Sequence, residues 1–165
     1  MKMKEKETHP KIPEKGLKEL RKGRISQRGS FYFITTCCYK KQKFFLNKEN
    51  VEIFFIALDW IKHKEFIEPY FCIVMPDHVH LVFQLIGDKS LPDVIKSLKQ
   101  CTGRKIKQRL GIENTVWQKG YYDHTIRKDE DLIEIMKYCW HNPVRAGMVE
   151  NPKDYPYWVS KYDLE

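Results

Sequence analysis

Phe66-IEPYFCIVMPDHVHLVFQ-Leu85 is the stretch on which the reading of this chain turns. Two runs rich in aromatic and β-branched residues, Phe66–Val74 and His78–Leu85, flank the turn-forming pair Pro76-Asp77. The stretch therefore predicts two antiparallel strands joined by a short turn. In an extended second strand, His78 and His80 point to one face, while Val79, Leu81, Phe83 and Leu85 point to the other. The apolar set can face a core. That leaves two imidazoles side by side, about 6–7 Å apart from the strand's rise per residue.

Upstream, FYFITTCCY (Phe31–Tyr39) has strand composition, and Val51, Phe54, Phe55, Leu58 and Ile61 recur at helical spacing behind an Asn47 cap. Downstream, a second helix opens at Ser90-Leu-Pro-Asp93, with Ser and Asp placed as in a capping box. Its apolar stripe is Leu91, Val94, Ile95 and Leu98. A further strand falls within Val116–Ile126, and a last helix runs from about Asp129 to Asn142. The order β-α-β-β-α-β predicts an α+β, ferredoxin-like fold: an antiparallel sheet with two helices on one face, here with an added C-terminal helix. Residues 1–28 are polar and lysine-rich, broken by Pro10, Pro13 and Gly16, and read as a flexible basic arm. Residues 29–165 read as one domain without internal repeats.

A length of 165 residues with 42% hydrophobic and 13% aromatic composition suits one domain with its own core. Thirty Lys and Arg against 22 Asp and Glu give a net charge of +8, which favours a polyanionic partner such as nucleic acid. The five cysteines show no CxxC spacing and their number is odd, which argues against a zinc ribbon or a disulfide framework. Cys37 and Cys38 are adjacent in a strand and point to opposite faces, so they suit buried thiols in a reducing cytoplasm. No signal-peptide core and no membrane-length apolar run is present, so no membrane partner is expected.

The last helix carries a second chemical signal. In DEDLIEIMKYCWHNPV (129–144) the residues Leu132, Ile133, Ile135, Met136, Cys139 and Trp140 form an apolar face. Tyr138 lies off that face and shares another with Glu134 and Asn142, four residues to either side. The helix is expected to end at Asn142, because the residue before Pro143 avoids the α region, and Gly147 supports a following turn. A tyrosine one turn before an amide suits a nucleophile next to a metal ligand, and Asn142 Oδ1 could complete a two-His, one-amide site. Each motif alone is weak.

Together they carry a resemblance. PDHVHLVF (76–83), WQKGYYDHTIR (117–127) and YCWHNPVRAGMV (138–149) resemble, in order and spacing, the signatures of the single-tyrosine HUH transposases. The match is closest to the REP-associated tyrosine transposases and spans about Gly23 to Trp158. Asparagine four residues after the tyrosine fits that branch, whereas related insertion-sequence transposases commonly have glutamine there.

The resemblance implies that His78, His80 and Asn142 are metal ligands for Mg²⁺ or Mn²⁺ and that Tyr138 is the nucleophile. It implies cleavage of single-stranded DNA near hairpins, through a 5′-phosphotyrosine that a free 3′-OH can later reverse without ATP. Tyr121 and Tyr122 are rival nucleophiles, but neither has an asparagine one turn later. Lys96, Lys99, Arg104, Lys105, Lys107 and Arg127 are the candidate contacts to the DNA backbone, with the basic arm. A prokaryotic, cytoplasmic and nucleoid-associated protein is expected. Two arrangements stay open: a monomer with Tyr138 acting in cis, and a homodimer that exchanges the tyrosine helix.

Two other readings fit parts of the sequence. A non-catalytic single-stranded nucleic-acid-binding module, with aromatic residues on its sheet, accounts for the charge. A metal-dependent nuclease using activated water accounts for the histidines, leaving Tyr138 structural.

Overall fold

The computed structural model describes residues 26–128 and 130–165. The basic arm expected at 1–28 lies outside them, apart from residues 26–28. Six elements follow the expected order: β1 (Phe31–Cys37), α1 (Lys48–His63), β2 (Ile67–Met75), β3 (His78–Leu85), α2 (Leu91–Leu110) and β4 (Tyr122–Ile126). They are followed by α3 (Leu132–Trp140), the one-turn α4 (Asn142–Arg145) and β5 (Trp158–Ser160). The strands form one antiparallel sheet in the order β4-β1-β3-β2-β5. This is the α+β, ferredoxin-like sheet with a fifth strand, absent from the sequence-based expectation, added beside β2.

Local chemistry explains the element ends. The Asn47 side chain accepts from Glu49 N and opens α1. Ser90 accepts from Asp93 N and donates to the Asp93 carboxylate, opening α2. Strand β1 stops at Cys37, two residues short of expectation, because Cys38 N turns aside to Asp77 O at 2.8 Å. Lys40 and Lys41 then take positive φ values of 50° and 57° to redirect the chain. The strand expected within Val116–Ile126 is confined to Tyr122–Ile126, with Trp117 only bridging Cys38.

The sheet is covered on both faces. On one, Tyr32, Ile34, Val79, Leu81 and Phe83 pack with α1 and α2 around the buried Phe54. The other carries Phe71, Ile73, Met75 and Val82 and is closed by Met136, Cys139 and Trp140 of α3, with Tyr155 and Leu164. The cysteines behave as expected for thiols: Cys37, Cys38, Cys72 and Cys139 are buried and none is bridged. Burial pushes the Cys38 and Cys139 thiols up to about 12, so they stay protonated. No helix among the described residues is long and apolar enough to cross a membrane.

One tight contact holds the end of β3 against the start of β2. Ile86 N and Gly87 N both donate to Phe66 O at 3.1 Å. A Cβ at position 87 would lie 2.7 Å from Glu65 O and 2.9 Å from Phe66 Cα, and both of those atoms are backbone. Gly87→Ala is therefore expected to cost about 1–3 kcal/mol, as overpacking does. A lower denaturant midpoint at unchanged slope would register it.

Candidate active site

The histidine face is the one covered by α3. Register sets Thr35 of β1 against His80 and Cys37 against His78, so these side chains share a face. The two imidazole centroids lie 4.8 Å apart, closer than the strand rise alone gives, because the rings tilt toward a common point. That point is the amide of Asn142, whose Nδ2 donates to His78 Nε2 at 3.1 Å and to His80 Nε2 at 2.7 Å. The opposite ring nitrogens are tied back. His78 Nδ1 donates to Asp77 Oδ1 at 2.6 Å, and His80 Nδ1 donates to Thr35 Oγ1 at 2.8 Å. Both Nδ1 atoms thus carry the hydrogen, and both Nε2 lone pairs face the amide. The bond from His78 also holds the Asp77 carboxyl below the usual carboxylate range, against the opposing effect of burial.

These residues fit a divalent cation. A half-turn of the Asn142 amide exchanges Nδ2 for Oδ1, and three lone pairs then converge, which is repulsive unless a cation lies between them. Two imidazoles and an amide oxygen, completed by water or phosphate oxygens, form a mixed N/O set. No three His, Cys, Asp or Glu side chains converge among the described residues; the third donor here is an amide. Asp77 and Thr35 fix ring orientation and tautomer in the manner of outer partners in metal sites. Asp77 was legible beside His78. Thr35 was not, because only strand register pairs it with His80.

The tyrosine segment departs from expectation in one respect. α3 begins at Leu132, where the Asp131 side chain accepts from Ile133 N and Glu134 N, and ends at Trp140, short of the expected Asp129–Asn142. Pro143 has no N–H to return to Cys139, so the helical ladder is interrupted and α4 starts afresh. Asn142 turns inward and is 4% exposed, while Tyr138 is 46% exposed. Gly147, with φ 69°, makes the expected turn after α4.

The Tyr138 hydroxyl makes no hydrogen bond among the described residues; its ring is instead covered by Arg145, with Cζ 4.0 Å from the centroid. Of the rival tyrosines, Tyr121 is buried. Tyr122 pairs with Thr35, lies on the histidine face and packs edge-on against Phe33. His124 bonds the Glu130 carboxylate at 3.0 Å.

The basic residues of α2 lie on the other side of the sheet. Lys96, Lys99, Arg104 and Lys107 line a groove of about 1130 Å³ between α2 and residues 111–121, with Trp117 and Tyr121 at its floor. Lys99 is engaged within the chain, donating to Gln118 O and Gly120 O at 2.6 Å each. Lys105 and Arg127 are exposed outside the groove.

With this geometry in place, comparison with known proteins is decisive. The family model described as Transposase IS200 like matches residues 27–142, from the first described residues through Asn142. The chain belongs to the IS200-like transposase family. The transposase is 29% identical over 143 residues to a Haemophilus influenzae protein that carries the name REP-associated tyrosine transposase, covering 79% of each chain. It is 27% identical over 93 residues to the REP-associated tyrosine transposase of Escherichia coli K12, covering 56% of this chain and 53% of that one. A solved REP-associated tyrosine transposase bound to a REP hairpin shares the fold, with a TM-score of 0.68 at 23% identity, over 82% of this transposase and 79% of that chain.

Proposed function

We propose that this transposase cuts and rejoins single-stranded DNA beside hairpins through a 5′-phosphotyrosine on Tyr138. The observation that carries the reading is the convergence of His78 Nε2 and His80 Nε2 on the Asn142 amide, one turn of chain after an exposed tyrosine. His78 and His80, through Nε2, and Asn142, through Oδ1, would hold Mg²⁺ or Mn²⁺. When bound, the ion supplies Lewis-acid stabilisation of the charge that develops on a non-bridging phosphate oxygen.

Tyr138 Oη attacks the phosphorus and loses its proton to solvent. The bond from phosphorus to the 3′ oxygen breaks, and that oxygen leaves as a 3′-OH. The new phosphotyrosine link conserves the bond, so a second 3′-OH can reverse the step and join new strands. Asp77 and Thr35 keep both Nε2 atoms unprotonated and aimed inward. The hairpin in the solved relative supports a hairpin-bearing DNA as the partner. The direct test is incubation with end-labelled single-stranded hairpin DNA and Mg²⁺ or Mn²⁺. A denaturant-stable protein–DNA adduct that chelator prevents supports the reading; free 5′-phosphate products without an adduct would rule it out.

The cationic groove of α2 is the feature that a purely binding role would use, and here it serves the enzyme as a track for the DNA backbone. Replacing Lys96, Arg104 and Lys107 together by Gln is expected to weaken DNA binding across sequences. The slope of log K against log salt should fall by about 2, roughly 0.7 per lost single-strand phosphate contact. The rate of adduct formation at saturating DNA should stay unchanged. An unaltered salt slope would remove the groove from the binding path.

A further inference from the structure

We infer that Arg145 is a phosphate-binding residue of this active site, kept beside the nucleophile by stacking on the Tyr138 ring. The inference rests on the reading of Tyr138 as nucleophile and adds to it a residue that the sequence motifs left without a role. Arg145 Cζ lies 4.0 Å from the centroid of the Tyr138 ring. At that separation the cation rests against the ring, and a stacked guanidinium keeps its N–H donors around its rim. Its side chain forms no ion pair with a carboxylate among the described residues, although the chain carries 22 Asp and Glu. Arg145 is also exposed, as is Tyr138.

The break between α3 and α4 accounts for this placement. Asn142 opens α4 and turns inward to the histidines, while Arg145, the last residue of the same turn, reaches back over Tyr138. One four-residue helix thus ties the amide of the His–Asn cluster to a cation on the nucleophile's ring. A phosphate within reach of Tyr138 Oη lies close to that cation. A planar guanidinium can donate two parallel hydrogen bonds to the two non-bridging oxygens of such a phosphate. The charge on those oxygens grows during in-line attack, so the contact strengthens toward the transition state.

A substrate in which the scissile phosphate is replaced by a methylphosphonate tests this, because it lacks one charged non-bridging oxygen. Single-turnover adduct formation is compared for wild type, Arg145→Ala, Arg145→Lys and Tyr138→Phe on both substrates. On phosphodiester DNA, Arg145→Ala is expected to form adduct about 100-fold more slowly or worse. Arg145→Lys, which keeps a charge but loses the fork, should fall in between. DNA affinity should change only a few-fold. On methylphosphonate DNA the gap between wild type and Arg145→Ala should close to within about 10-fold, since one of the two oxygens that Arg145 serves is gone and the negative charge with it.

An equal slowing of Arg145→Ala on both substrates would mean a merely structural role and overturn the proposal. So would wild-type rates for Arg145→Ala on phosphodiester DNA. If Arg145→Ala does not fold by circular dichroism, the same comparison is read from Arg145→Lys. An adduct that persists in Tyr138→Phe overturns the nucleophile assignment and this proposal with it, whereas a failure confined to the Arg145 variants overturns this proposal alone.

Discussion

Tyr138→Phe is expected to bind hairpin DNA like the wild type and to form no covalent adduct with it. The substitution removes one oxygen from a ring that is 46% exposed and makes no hydrogen bond through its hydroxyl among the described residues. The contact with Arg145 involves the ring and is kept. Stability should therefore move by no more than about 0.5 kcal/mol, as for a surface change. Chemistry should be lost altogether, since removing a covalent nucleophile elsewhere costs on the order of 10⁶ in rate. Tyr122→Phe is the matched control, because Tyr122 lies on the histidine face. Gel analysis of both variants under denaturing conditions decides between them. An adduct lost in Tyr122→Phe and kept in Tyr138→Phe would transfer the nucleophile to β4. Cleavage without adduct in Tyr138→Phe would point to activated water instead.

How far the sequence predicted this site depends on whether a feature is local. The alternation of β3 sorts His78 and His80 from Val79, Leu81 and Phe83, and the sheet keeps that division. The caps at Asn47 and Ser90 and the breaker at Pro143 are likewise written in a few neighbouring residues. What pairing across the sheet decides was not legible. Thr35 meets His80 only through the register of β1 with β3. Lys99 reads as a contact to the DNA backbone, yet two carbonyls some twenty residues downstream take up its ammonium. The strand β5 has three residues, too few to show an alternation, and forms because the edge of β2 offers it a partner. The inward turn of Asn142 belongs to the same class. Helical periodicity sets it beside Tyr138, but a missing N–H at Pro143 and two accepting Nε2 atoms turn it into the site. The arrangement that assembles the cluster is tertiary, although every residue in it stands in a recognisable motif.

His80→Ala should abolish cleavage and metal binding together, while Asp77→Asn should weaken both without removing either. His80 supplies one of the two Nε2 lone pairs and is also the partner of Asn142 at 2.7 Å and of Thr35 at 2.8 Å. Its loss leaves the buried amide and the Thr35 hydroxyl short of a partner, at a cost of about 1–3 kcal/mol in stability. The cationic groove of α2, on the opposite side of the sheet, should be unaffected. Asp77 acts one bond further out. Its carboxylate accepts from His78 Nδ1 and so leaves Nε2 as the inward-facing acceptor. An asparagine can still accept that hydrogen through its oxygen, but without the charge, and it can also present an amide N–H that favours the wrong tautomer. A loss of about 10–100-fold in Mn²⁺ affinity and in cleavage is expected, the range found for outer partners of metal ligands. Because the Asp77 carboxyl is held below the usual range, the wild-type contribution is fully present above the ordinary carboxylate pKa and is lost only as pH falls through the lowered value. Between pH 6 and 8 the Asp77 carboxylate should therefore stay charged in the wild type. Titration of Mn²⁺ by calorimetry, with the adduct assay, checks the expectations for both variants, and His80→Ala protein that cleaves at even a tenth of the wild-type rate would remove the His–Asn cluster from the mechanism.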